Sequence, residues 1–203
     1  MYAALASDSL RLTPGVPATL DIEVTNTAEI IDGLTATVLG LDSSWVQLMQ
    51  PVVTLFPEST GTLTLRFDVP PSCPAGESAI TVRVFSTVDP ERSVDHVAWL
   101  VVEAVEAGEL EMRPSLVEAG KHAGFQAVLH NLGNSIVEFS VTALEPTRAL
   151  ECRVTPPTVI VAPGETGQVT VLAQGKRPWF GSSVERGIQI GATSQTLELT
   201  GSA

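Results

Sequence analysis

This chain has little cysteine, lysine, histidine or aromatic content, and each shortage closes off a class of protein. Its two cysteines, Cys73 and Cys152, fall in opposite halves of the 203 residues. Neither half can then hold an internal disulfide, and two thiols so far apart in sequence do not make a metal-ligating motif. A thiol in each half is the expectation, which suits a reducing compartment. Two lysines among 11 basic residues, set against 23 acidic ones, leave a net charge of −12. A surface of that sign repels phosphate backbones, so nucleic acid is not an expected partner. The same acidity keeps a β-rich chain soluble and discourages strand edges from pairing with other molecules.

Long hydrophobic runs are missing too. None exceeds six members, the length of residues 97–102, far short of the roughly 20 that a membrane-spanning helix needs. No direct membrane insertion is expected of this chain. Residues 1–8 lack both the basic start and the apolar stretch of an export signal, which points to the cytoplasm or the cytoplasmic face of a membrane.

Groups suited to catalysis are few. The three histidines, His96, His122 and His130, belong to no metal-spaced motif. Asp95 and His96 are adjacent in an extended segment and so face opposite sides, which prevents a local base–orienter pair. Asp89, Glu91 and Asp95 crowd around a turn but lack the spacing of a calcium loop. The expectation is therefore no catalytic residue, no metal, no cofactor and no enzyme.

What the chain does have is a repeat. Residues 51–65 and 157–171 read alike at a spacing of 106, matching Pro51 to Pro157, Pro57 to Pro163, Gly61 to Gly167 and Thr64 to Thr170. Upstream, Asn26 and Asn131 close matched alternating segments at a spacing of 105. A period of about 100 residues is too long for a solenoid unit and suits a whole β-sandwich domain. With 16 Gly, 14 Pro and regular apolar/polar alternation, the chain reads as strands rather than helices. In the segment ending at Asn26, Leu20, Ile22 and Val24 take one face while Asp21 and Glu23 take the other. Leu63, Leu65 and Phe67 repeat the pattern downstream.

The expected fold is all-β: two tandem immunoglobulin-like antiparallel β-sandwiches of seven or eight strands each, residues 1–104 and 105–203. The first strand is expected at Leu10, and Trp45 and Trp99 are expected in strands, packed in a core or at a domain junction. The C-terminal part of the last strand of the first half is apolar on both faces, Trp99 with Val101 and Leu100 with Val102. That reads as burial against the second domain.

The order of an Asn turn, a Trp-containing strand, and Pro-x-x-apolar followed by an alternating strand resembles a known group. The first half carries it as Asn26, Trp45, Pro51, Pro57 and the segment from Leu63 to Phe67; the second as Asn131, Gly133, Pro157, Gly164 and the segment from Val169 to Val171. These are similar to the bacterial Ig-like domains of the NPCBM-associated family, found with alpha-galactosidases and in actinobacterial proteins called hydrolytic. Glu58 stands where that pattern has Gly, and Cys152 or Arg153 where it has Trp. The resemblance implies an accessory module without catalytic residues of its own.

One segment stands apart. Lys176, Arg177, Trp179 and Phe180, with Arg186 close by, gather cationic and aromatic side chains in a long loop. Aromatic anchors beside Arg are the composition of an interaction hot spot, so this loop is the candidate partner-binding site. The loop of the first half around Cys73 has no aromatics, so the two domains are expected to differ in role. The leading reading is a non-catalytic scaffold or spacer of a bacterial, envelope-associated assembly, with a protein partner. The alternatives are a carbohydrate-binding accessory module, for which aromatics at 5% are scarce, and a pilus-chaperone-like protein. The latter needs an export signal and a basic subunit-anchoring cleft, and the sequence shows neither.

Overall fold

Alternation at a period of two dictates strands, and the computed structural model, which describes residues 1–175 and 184–203, contains little else. The chain divides into two compact units, Met1–Ala104 and Val105–Ala203. Each is an immunoglobulin-like β-sandwich.

The first unit has nine strands. They are β1 (Tyr2–Leu5), β2 (Ser9–Leu12), β3 (Ala18–Thr25), β4 (Asp32–Leu39), β5 (Val46–Leu48), β6 (Val53–Leu55), β7 (Thr60–Phe67), β8 (Gly76–Ser86) and β9 (Ser93–Val102). One sheet runs β1-β3-β7-β5 and the other β2-β9-β8-β4-β6. Leu20, Ile22 and Val24 of β3 pack with Leu63, Leu65 and Phe67 of β7. From the facing sheet come Ile80, Val82 and Val84 of β8 and Ala98 and Leu100 of β9. Each fully buried aliphatic side chain contributes about 2 kcal/mol, so the alternating positions define the sandwich.

Among the described residues the second unit has eight strands: β10 (Gly108–Arg113), β11 (His122–Asn131), β12 (Val137–Leu144), β13 (Leu150–Thr155), β14 (Thr158–Val161), β15 (Thr166–Gly175), β16 (Gln189–Thr193) and β17 (Glu198–Ser202). Its sheets run β10-β11-β15-β13 and β14-β12-β16-β17. Core volume is redistributed between the two units. Ile22 and Phe67 of the first correspond to Ala127 and Ala173 of the second, while Leu20 corresponds to the larger Phe125.

The turn that carries the repeat is built identically in both units. Asn26 is buried; its Nδ2 donates to the carbonyls of Ile30 (2.8 Å) and Leu55 (3.0 Å), and its Oδ1 accepts from Ala28 N–H (2.9 Å). Asn131 does the same with Ser135 (2.8 Å), Val161 (2.9 Å) and Gly133 (3.0 Å). No other side chain of that size offers two donors and an acceptor, so each Asn satisfies three backbone groups at its turn.

Three details depart from the sequence reading. A strand, β1, precedes the one expected at Leu10. The N-terminal segment changes sheets between β1 and β2, and β2 pairs with β9 in parallel, the single parallel pair among the described strands. Trp45 closes one 3-10 turn, Ser43–Trp45, in place of a strand residue, because the Asp42 carboxylate caps the N–H (2.9 Å) and hydroxyl (2.8 Å) of Ser44. Its ring packs against the core from there. Among the described residues of the second unit no strand matches β2; Val117 packs on the core without joining a ladder.

Candidate functional site

Strand β9 sends Ala98, Leu100 and Val102 inward, and the pleat therefore turns Val97, Trp99 and Val101 outward. Trp99 is 50% exposed and Val97 59%. This corrects the expectation of a packed tryptophan: Trp99 and Val97 are exposed, while Val101 is half-buried. In register, Trp99 lies opposite Ser9 on β2 and opposite Ala79 on β8. Two of the smallest side chains thus flank the indole on either side. Its strand is held in place by the ladder and by Trp99 N–H donating to Asp8 O (2.8 Å). Val101 lies between Arg11 and Glu77, and the exposed Leu39 of β4 faces Thr81.

At the far end of the same face, Arg83 makes a bidentate pair with Asp95. Nε and Nη2 each donate to a carboxylate oxygen at 2.7 Å. The hydrogen bonds and charge of Arg83 hold the Asp95 carboxyl below the usual carboxylate range and raise the guanidinium in turn. A carboxylate so stabilised is a poor proton acceptor at neutral pH. The face offers apolar area, one large aromatic surface and a rigid polar margin. It is suited to contact.

Of the loop residues singled out from the sequence, Lys176, Arg177, Trp179 and Phe180 lie outside the described residues. Arg186 is described. Its Nη1 donates to Thr147 Oγ1 (3.1 Å) and lies 3.8 Å from Glu145 Oε1. Glu145 is almost wholly buried and accepts from Thr147 Oγ1 (2.6 Å), Thr147 N–H (3.2 Å) and Ala149 N–H (2.7 Å). The Thr147 hydroxyl, followed by the backbone N–H groups, holds its carboxyl below the ordinary value. Arg186 thus completes a polar corner that shapes the turn between β12 and β13. A shallow groove of about 320 Å³ lies beside it, lined by Glu145, Thr147, Arg186, Ile188 and Ser202.

The remaining titratable groups are scattered. His96 points inward while Asp95 points outward, and Nε2 of His96 is buried without a hydrogen-bond partner among the described residues. His130 meets Thr166 Oγ1 at 3.2 Å, and His122 is exposed. Among the described residues no three His, Cys, Asp or Glu side chains converge as a metal site. Burial pushes the thiols of both Cys73 and Cys152 up, which lowers their thiolate fraction and nucleophilicity at neutral pH.

The sequence reading missed the Trp99 face although the signal was present. Alternation had already placed Trp99 and Val101 on one side of the strand. In the structure Ala98 and Leu100 take the core side, which leaves the tryptophan's side as the outer one.

No family model matches the chain, and no curated protein matches it. Among solved structures it is similar to a protein of unknown function from Porphyromonas gingivalis W83, at 18% identity over 98% of both chains and a TM-score of 0.39. It is also similar to the D00-D0 domain of intimin, at 11% identity over 99% of this chain and 98% of that one, with a TM-score of 0.43. The CupB2 chaperone of Pseudomonas aeruginosa is similar at 10% identity over 98% of both chains, with a TM-score of 0.36.

Proposed function

We propose that this chain is a non-catalytic interaction module, a tandem Ig-like scaffold of a bacterial assembly. In this reading the outer face of the β2-β9-β8-β4-β6 sheet makes the contact. The observation that carries it is Trp99, half exposed on the outer face of the sheet between Ser9 and Ala79. Large aromatics placed in solvent on a rigid surface are what binding interfaces use as anchors. Val97 and Leu39 extend the apolar area around it. The loop that includes Lys176, Arg177, Trp179, Phe180 and Arg186 supplies a second contact in the same reading, on the strength of its composition. The accessory character implied by the resemblance to NPCBM-associated domains agrees with a chain that touches rather than turns over.

A photo-crosslinking residue at Val97, in cells that make the protein naturally, tests this. Val97 should give a discrete adduct with one partner. Glu23, on the outer face of the opposite sheet, should give none. No adduct at Val97, or equal adducts at both positions, removes the face from consideration. The exposed indole also favours a second reading, stacking on a sugar ring, which a glycan found in the Val97 adduct would support.

A further inference from the structure

We infer that the partner presents an arginine-bearing basic segment, whose guanidinium stacks on the Trp99 indole; this rests on the interaction reading given above. Three independent observations carry it. The first is charge. The first unit holds 13 acidic and 4 basic residues, a balance of −9, while the second holds 10 and 7, a balance of −3. A field of that sign draws in a cationic partner and opposes a second copy of the same acidic chain.

The second observation is shape. The residues directly opposite Trp99 on the two neighbouring strands, Ser9 and Ala79, are both small. A planar group can then lie against the indole face, the geometry in which a guanidinium gains most from the ring's negative quadrupole.

The third is the state of the surrounding charges. Glu77 is exposed and takes part in no ion pair among the described residues. Opposite Val101 on the same outer face as the indole, it can accept the forked donors of an arginine. Arg83, by contrast, is already neutralised by Asp95. Arg11 lies one register step away, beside Val101. A neutral sugar would use the ring but gain nothing from the acidity, and aliphatic Val97 and Leu39 offer no second stacking platform beside it.

The test uses the full chain and a ten-residue alternating arginine–serine peptide as probe, titrated by calorimetry at two salt concentrations. The lysine–serine peptide of equal charge and a cellulose hexasaccharide serve as comparators. The arginine peptide should bind more tightly than the lysine peptide, and Trp99→Ala should weaken it about tenfold with an unchanged melting temperature. Glu77→Gln should weaken binding and flatten its salt dependence, and it leaves the indole in place should the Trp99 variant fold poorly. Equal binding by Trp99→Ala and the parent overturns the inference, as does equal binding of the two peptides or binding of the sugar alone. A Val97 adduct with a partner that has no basic segment overturns it too, while leaving the interaction reading intact.

Discussion

Glu58 and Gly164 occupy the same corner of the two sandwiches, and the backbone there suits only one of them. Each N–H donates to the carbonyl of its turn asparagine, Glu58 to Asn26 at 2.8 Å and Gly164 to Asn131 at 2.9 Å. Each also has a left-handed backbone, φ 59° for Glu58 and φ 73° for Gly164. For a side chain bearing a Cβ that conformation costs about 1 kcal/mol or more, whereas glycine adopts it freely. Glu58→Gly should therefore stabilise the first unit by about 0.5 kcal/mol, once the extra freedom glycine gives the unfolded chain is subtracted. Gly164→Glu should destabilise the second by a similar amount. Thermal melts of the two variants, read against the parent, check both signs. Stabilisation by Gly164→Glu would mean that the turn is held by contacts other than its backbone geometry.

Between residue and fold lie the elements, and here some of the architecture was readable and some was not. The turns declared themselves because their requirements are local. An Asn must satisfy three backbone groups, and a Pro followed by a left-handed residue must reverse the chain. Those needs recur at spacings of 105 and 106 whatever fills the core. Strand β1 did not declare itself, since four residues with two alanines carry almost no alternation. The parallel pairing of β2 with β9 depends on a partner 90 residues away, which no local pattern encodes. Arg186 was found by composition, but its engagement with Thr147 and Glu145 is set by the meeting of two distant loops. Trp99 was given its side and denied its environment, because a strand apolar on both faces reads as doubly buried.

One element tests how far such local packing reaches. Residues 105–107 are strapped to the Asn131 turn. Val105 N–H donates to Asn134 Oδ1 (2.7 Å), Asn134 N–H to Val105 O (3.1 Å), and Leu132 N–H to Ala107 O (2.8 Å). Glu106 adds hydrogen bonds from Ser194 and Thr196 at the turn before β17. The strap fits because residue 133 is glycine: a Cβ there would lie 2.2 Å from Val105 O and 3.0 Å from Ala107 N, both backbone atoms. Gly133→Ala should peel the strap away at a cost of about 2 kcal/mol. Hydrogen exchange at Leu132 and Asn134 should accelerate while amides in β3 and β7 keep their protection. Unchanged exchange at those two amides would show that the turn shifts without releasing the strap.

At the scale of the whole molecule, acidity acts in two opposed ways. A charge of −12 repels itself, and protonation relieves that repulsion. Yet several carboxylates are held below their ordinary values by hydrogen bonds present only in the folded state. Glu145 is held by Thr147, Glu106 by Ser194 and Thr196, Asp95 and Glu111 by their arginines, and Asp42 by Ser44. For each, the unfolded chain binds protons first as pH falls, so the stability they contribute is complete above the ordinary values of 4.5 for Glu and 3.8 for Asp. It is lost as pH drops through the lower folded values. The repulsive term is spread over the surface and screened beyond about 8 Å at physiological salt, whereas Glu145 is bonded at short range and nearly buried. The hydrogen-bonded carboxylates should therefore win. The melting temperature should stay nearly level from pH 8 to pH 5 and fall steadily below about 4.5. Glu145→Gln should melt lower than the parent at neutral pH, and the two curves should converge in acid, where Glu145 itself is protonated. Calorimetric melts across that range decide the matter; a melting temperature that rises toward pH 3 would assign the larger share to self-repulsion.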